Sequence, residues 1–223
     1  MEQRKPSLPR LRHHGSAYLY VPQHRLRVLP PGYPPVPKEL DWSAFFADGL
    51  PPQNLDVGCG EGGFLRRFAV THLGENILGI EVRKALAEWL AGILRNEGLR
   101  NAAVLWYSIV NGLPFLESGS VTRIFYLFPD PWPKKRHHKR RALTPFVVQE
   151  FARVLRPDGV LYIATDFLPL DAYHREVLDS TGLFRYESVT DDEDWGLPMT
   201  DREQSCRLRG IAYVRLRCWK VGR

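Results

Sequence analysis

From Asn54 onward the chain alternates short apolar runs with longer amphipathic segments, and this alternation restricts the fold more than any other feature. Residues 55–57, 76–80, 102–107, 121–128 and 160–164 read as strands. Between them, residues 62–72, 84–96 and 143–155 carry helical spacing; the second sets Leu86, Trp89, Leu90, Ile93 and Leu94 on one face. Arg156-Pro-Asp-Gly159 reads as a turn. A further helix after Leu168 and strand candidates at 186–189 and 211–218 bring the count to seven strands. Strands separated by helices pair in parallel, because the crossover carries the chain back over the sheet. The expected fold is therefore α/β, a doubly wound, mostly parallel seven-stranded sheet with ligands at the carboxyl ends of its strands.

Ahead of this region the character changes. Residues 1–29 mix basic and aromatic residues without a sustained period, and Pro30-Pro-Gly-Tyr-Pro-Pro-Val-Pro37 reads as a stiff, extended linker. The division expected is a basic arm with its Pro-rich linker over 1–39 and a catalytic domain over 40–223, the arm ordering when it meets a partner. A chain of 223 residues, 44% of them apolar, is long enough for one well-cored domain of this kind. No apolar run approaches the roughly 20 residues of a membrane span, and the polar N-terminus lacks the apolar stretch of a signal peptide. Cys59, Cys206 and Cys218 are odd in number and lack metal-ligand spacing, which argues against disulfides and zinc and points to the cytoplasm.

Asp56-Val-Gly58-Cys-Gly60-Glu-Gly62-Gly63 lies between the first strand and the first helix. Glycines there let the backbone turn sharply and approach a ligand. The spacing of Gly58, Gly60 and Gly63 satisfies a dinucleotide fingerprint, so NAD has to be considered. Asp56 argues against it, since a carboxylate at the strand's end repels a pyrophosphate but suits an ammonium or sulfonium. Glu81 ends the second strand about 20 residues after the glycines, where an acid holds both ribose hydroxyls. Together these features resemble the S-adenosylmethionine site of class I methyltransferases.

The fourth strand runs into Phe128-Pro-Asp130-Pro-Trp-Pro-Lys134, followed by a basic run with six Lys or Arg and two His over 134–141. Basic residues are otherwise concentrated at 4–27 and 202–223, and the net charge is +6. Three basic clusters around an acid pinned between prolines point to chemistry at Asp130 with a nucleic acid lying beyond it.

The stretch Asp-Pro-Trp-Pro-Lys-Lys-Arg-His-His-Lys-Arg-Arg, with Thr165-Asp166 after the fifth strand and Thr200-Asp-Arg-Glu203 near the end, resembles the signature of bacterial tRNA (guanine-N7-)-methyltransferases. The resemblance covers roughly residues 54–217. It implies a Rossmann-like class I methyltransferase fold, S-adenosylmethionine as methyl donor, no metal, and a guanosine of tRNA as target (position 46, in the variable loop). Carried onto this chain, it puts Asp56, Gly58, Gly60, Glu81, Ser108 and Asp130 at the cofactor. Lys134, Asp166, Thr200, Asp201, Arg202 and Glu203 would contact the substrate, with Arg136, His137, His138, Lys139, Arg140 and Arg141 along the RNA. Guanine N7 has a free lone pair and no proton, so its methylation needs alignment with the donor, not a base. The ring becomes cationic, and a carboxylate nearby stabilises that charge, a role expected of Asp130. Asp166 or Glu203 is expected to grip the N–H edge of a guanine swung out of its stack.

The chain departs from that family at two places. Ser108-Ile109 stands where an acid followed by alanine is usual near the adenine, with Asn111 a candidate replacement, and Arg202 stands where an aromatic is usual. Plainer roles compete at several sites: Asp166 as a helix cap, Trp132 as packing rather than a stacking partner, and His137-His138 as solvated residues rather than metal ligands. The acidic stretch 191–194 reads as a mobile loop, with a fold over the site as the alternative. Two other functions remain, a different nucleic-acid N-methyltransferase and a non-catalytic RNA-binding protein on the same fold. Oligomeric state stays open between monomer and homodimer.

Overall fold

The computed structural model describes residues 8, 9 and 15–222. The parts of the basic arm at 1–7 and 10–14 lie outside the described residues. Seven strands form one sheet: β1 (Asn54–Val57), β2 (Ile77–Glu81), β3 (Ala102–Trp106), β4 (Val121–Leu127), β5 (Leu155–Thr165), β6 (Phe184–Ser188) and β7 (Val214–Lys220). Their order is β3-β2-β1-β4-β5-β7-β6. The first five pair in parallel, and β7 is antiparallel to both β5 and β6. The expected doubly wound sheet is present. Chain direction across the sheet reverses between β1 and β4, which leaves a crevice beyond their carboxyl ends.

Helices cover both faces. On one side α1 (Gly63–Thr71) and α2 (Lys84–Asn96) bury Phe64, Leu65, Phe68, Leu90, Ile93 and Leu94 against Ile77 and Phe125. On the other, α3 (Pro145–Val154) and α4 (Leu168–Thr181) bury Val147, Val148, Phe151, Val177 and Leu178 against Ile124, Tyr126, Leu161 and Ile163. Strands covered on both faces carry near-continuous apolar runs, as residues 77–80 of β2 and 124–127 of β4 do.

Two local readings change. Helix α3 ends at Val154, and fully buried Leu155 pairs at once with Val121. The next pairing is Arg123 with Val160, so residues 156–159 form an irregularity inside β5 instead of a separate turn. The acidic stretch is likewise not a loop. Asp191 accepts backbone N–H groups from Glu193 and Asp194 and opens the one-turn helix α5 (Asp192–Trp195), whose Trp195 is buried edge-on to Tyr162.

Helices α5 and α6 (Asp201–Leu208) occupy the long connection from β6 to β7. Arg215 of β7 ties both down. Its guanidinium donates to Glu203 at 2.9 Å and to Asp192 at 2.7 Å, and lies 5.2 Å from the centres of the Trp195 and Tyr213 rings. Side chains of Arg215 and Glu203 are only 4% and 1% exposed. Removing one member of such a pair strands the other charge in a dry site. Arg215→Ala should therefore lower unfolding free energy by about 3–5 kcal/mol in chemical denaturation; a drop under about 1 kcal/mol, as for a surface pair, would contradict the anchoring role.

Candidate active site

The glycine loop leaves β1 at the crevice. The Gly58 and Cys59 N–H groups both donate to the Ile80 carbonyl, at 2.8 and 3.1 Å, fastening the loop to β2. Gly60 adopts φ 56°, a left-handed conformation that a side chain would disfavour. A Cβ at Gly63 would run into the Asp201 carboxylate, so its lack of a side chain lets the start of α6 approach the loop.

Asp56 is 4% exposed, and its Oδ2 has no hydrogen-bond partner. Burial, with a smaller contribution from Glu81, pushes its carboxyl up to about 8. A buried acid with an unmet acceptor fits a cationic ligand, since charge pairing in a dry site restores what desolvation takes away. The residues present therefore suit the sulfonium and ammonium of the methyl donor better than a pyrophosphate. Glu81 is buried at the end of β2, where it accepts from the Gly60 N–H at 3.2 Å and from the Arg83 Nε and backbone N–H, both at 2.8 Å.

Ser108 lines the cleft, but its hydroxyl is already engaged by the N-terminal segment. Its Oγ donates to the Leu19 carbonyl at 2.5 Å. Asn111 is also engaged by the N-terminal segment: its Oδ1 accepts from the Gln23 N–H at 2.7 Å, and its Nδ2 donates to the Tyr33 hydroxyl at 2.8 Å. The proline-rich stretch thus packs instead of spanning as a bare linker, with Tyr33 and Pro34 buried.

The loop after β4 is conformationally tense. Among the described residues only Phe128 (φ 51°) and Trp132 (φ 44°) are non-glycines with positive φ, and they bracket Pro129-Asp130-Pro131. Such backbone persists only where surroundings hold it. The Phe128 N–H donates to the Ala164 carbonyl at 2.7 Å. Trp132 is 4% exposed, with the Arg140 guanidinium 4.9 Å from its ring centre and His137 edge-on. Trp132 is packing, not an open stacking platform. Asp130 Oδ2 accepts from the Tyr20 hydroxyl at 2.9 Å.

The basic run forms a 3-10 helix over Lys135–Arg140. Lys134, Lys135, Arg136 and Lys139 are exposed, while His137, His138 and Arg140 are partly buried. Arg141 is a correction to the expected RNA track. It is 6% exposed, donates to the Pro131 carbonyl at 3.3 Å and lies 4.8 Å from the Tyr173 ring centre, so it props the loop from inside.

Substrate candidates at the far rim also divide. Asp166 does not cap α4; it pairs with Arg202, whose Nε donates at 3.0 Å. Thr200 and Glu203 cap α6 reciprocally, and both Glu203 oxygens are engaged, one by the Thr200 N–H and the other by Arg215. The expectation that Glu203 grips the guanine edge does not fit this geometry; its place is inside the scaffold. Asp201 and Arg202 are exposed. Among the described residues no group of three or more His, Cys, Asp or Glu could hold a metal ion, and no helix is long and apolar enough to cross a membrane.

Gly58, Gly60, Glu81, Ser108, Asp130 and Arg140 share one cleft enclosing about 890 Å³ free of protein atoms, part of it open solvent. A second crevice is lined by Asp56, Thr200, Asp201 and Arg202, and the two share Gly58 and Phe128. Lys134 lines neither. Tyr20 lies in the wall of the first, and no sequence signal in the aperiodic arm points to it.

Residues 51–216 match the profile of a family described as "Putative methyltransferase". A tRNA (guanine-N(7)-)-methyltransferase of Caenorhabditis briggsae is 34% identical over 173 residues, 72% of this chain and 67% of that protein. One from Synechococcus sp. (strain JA-3-3Ab) is 36% identical over 168 residues, 74% of this chain and 70% of that protein. The chain thus spans about two thirds of these relatives' length. Among solved structures, a SAM dependent methyltransferase from Aquifex aeolicus superimposes with a TM-score of 0.54 at 19% identity, covering 77% of this chain and 82% of that one. At that identity the likeness shows the fold.

The raised carboxyl of Asp56 has a consequence for stability. Its unfolded value is the ordinary 3.8, so between about pH 4 and 8 the native state holds more of this proton and stability falls as pH rises. Asp56→Asn should match the parent protein near pH 4 and melt progressively higher than it toward pH 8. Parallel melting curves at pH 4, 6 and 8 with a constant gap would contradict the assignment.

Proposed function

The chain belongs to the tRNA (guanine-N(7)-)-methyltransferase family, and from that membership we propose that it methylates guanine N7 in tRNA, at the guanosine of position 46 in the variable loop. S-adenosylmethionine supplies the methyl group as an electrophilic sulfonium. Asp56, the Gly58–Gly60 backbone and Glu81 would hold it: Asp56 meets its positive charge, and Glu81 the ribose, exchanging its Arg83 contact.

The observation that carries the reading is the Asp130 loop. It stands at the crevice between β1 and β4, beside the glycine loop, its backbone held by two left-handed residues and two prolines. Basic residues exposed to solvent begin four positions further on. A carboxylate held in place there stabilises the charge that develops on the purine as the N7 lone pair forms its bond to the methyl carbon. It needs to take no proton. Asp166, Asp201 and Arg202 stand at the far rim as candidates for the base's polar edge; Thr200 and Glu203 position Asp201 and Arg202 by capping α6, and Arg202 in turn pairs with Asp166. Lys134, Lys135, Arg136 and Lys139 offer charge to the phosphates, with His137, His138 and Arg140 nearer the loop.

Unmodified tRNA transcripts incubated with the full chain and the donor should yield 7-methylguanosine by mass spectrometry of the nucleosides. Replacing the guanosine at position 46 should remove it. A methyl group on an exocyclic amine, or tRNA bound without transfer, overturns the reading. Asp130→Ala should reduce transfer by about a hundredfold or more while tRNA affinity stays within about twofold. Lys135→Ala, Arg136→Ala and Lys139→Ala combined should instead weaken tRNA binding and lower its salt slope by about 0.7–0.9 for each phosphate that is no longer neutralised. An unchanged slope would remove the exposed basic helix from the RNA path.

A further inference from the structure

The family match begins at residue 51, yet a residue far upstream touches the proposed reacting loop. We propose that Tyr20 is a positioning residue for methyl transfer: its hydroxyl holds the Asp130 carboxylate in its working orientation, so the N-terminal segment completes the active site. The inference rests on the tRNA-methylation reading and deepens it.

Backbone restraint alone does not fix a carboxylate. The prolines and the left-handed Phe128 and Trp132 set where the Cα of Asp130 lies. The backbone does not itself set the side-chain torsions, and the terminal torsion of an aspartate is broad. Stabilising a developing charge requires the oxygens to be placed beforehand, or part of the gain goes into reorienting them. The Tyr20 hydroxyl supplies a restraint on those torsions, donating to Oδ2 at 2.9 Å. Its ring stands edge-on to Trp132, with centres 5.2 Å apart. Tyr20 therefore touches both the acid and the strained residue that follows it by two positions.

Tyr20 is itself held. The preceding Leu19 is 6% exposed, and its carbonyl accepts from Ser108. Beyond it, the Val21 carbonyl accepts from the Tyr33 hydroxyl at 2.8 Å, and the Gln23 N–H donates to Asn111. Ser108 is the position where this chain departs from the family's acidic pattern, and Asn111 is the candidate replacement. Here both fasten the segment that carries Tyr20. Burial and the negative charge of Asp130 also hold the Tyr20 phenol well above its ordinary range, so it stays a donor throughout the working pH range.

The test is Tyr20→Phe in the full chain, which removes the hydroxyl and keeps the ring against Trp132. Steady-state transfer to tRNA should show kcat lowered about tenfold with both KM values within twofold of the parent. S-adenosylhomocysteine affinity by calorimetry, tRNA affinity and melting temperature should be nearly unchanged. An unchanged or faster kcat overturns the proposal, the faster case marking Tyr20 as a plug. A defect expressed as raised KM with weakened S-adenosylhomocysteine binding also overturns it, because the segment would then be only a wall of the cofactor cleft. Should the parent protein fail to methylate tRNA, the functional reading itself falls, and the role of Tyr20 with it.

Discussion

Parallel pairing of β1 with β4 sets Asp56 opposite Phe125, and most of the site depends on this register. Both strands end at the same level, so the glycine loop that follows one and the Pro-Asp-Pro loop that follows the other emerge side by side. Helices α1 and α2 on one face and α3 and α4 on the other leave that crevice uncovered, because consecutive crossovers diverge where strand order reverses. A buried acid with an unmet oxygen and a carboxylate on a tense loop are thus brought together by backbone pairing, though they lie far apart in sequence.

Holding the tense loop requires support from below and above. Arg141 reaches the Pro131 carbonyl from inside while packed on Tyr173, and Arg140 lies over Trp132. Tyr20 contributes from the N-terminal side. A run of like charges therefore divides its labour: members turned inward maintain the loop, and members turned outward are available to phosphates. The division follows from the 3-10 helix, whose neighbouring residues point in different directions.

A second cluster of arginines organises the far rim. Arg215 joins Glu203 and Asp192, and Arg207 adds a second donor to Asp192, whose carboxyl both arginines hold down at about 2. The Thr200–Glu203 capping box is built onto this anchor, which presents Asp201 and Arg202 outward. Arg202 pairs with Asp166, so one expected substrate contact is here the partner of another.

Local sequence determined the elements wherever period and composition were strong. Helix α2 occupies residues 84–96 as its apolar spacing requires, and β1, β2 and β4 lie within a residue or two of their apolar runs. The glycine loop, Glu81 and the Asp-Pro-Trp-Pro stretch were legible because turns, strand ends and prolines act through their own backbone. What tertiary structure decided is which polar side chains face a ligand. Glu203 and Arg141 look like binding residues by type, yet their burial against Arg215 and beneath Pro131 makes them scaffold. Tyr20 looks like part of an aperiodic arm, yet its hydroxyl meets Asp130 across 110 residues of chain. Burial and long-range hydrogen bonds depend on what the fold brings alongside, and no local pattern encodes that.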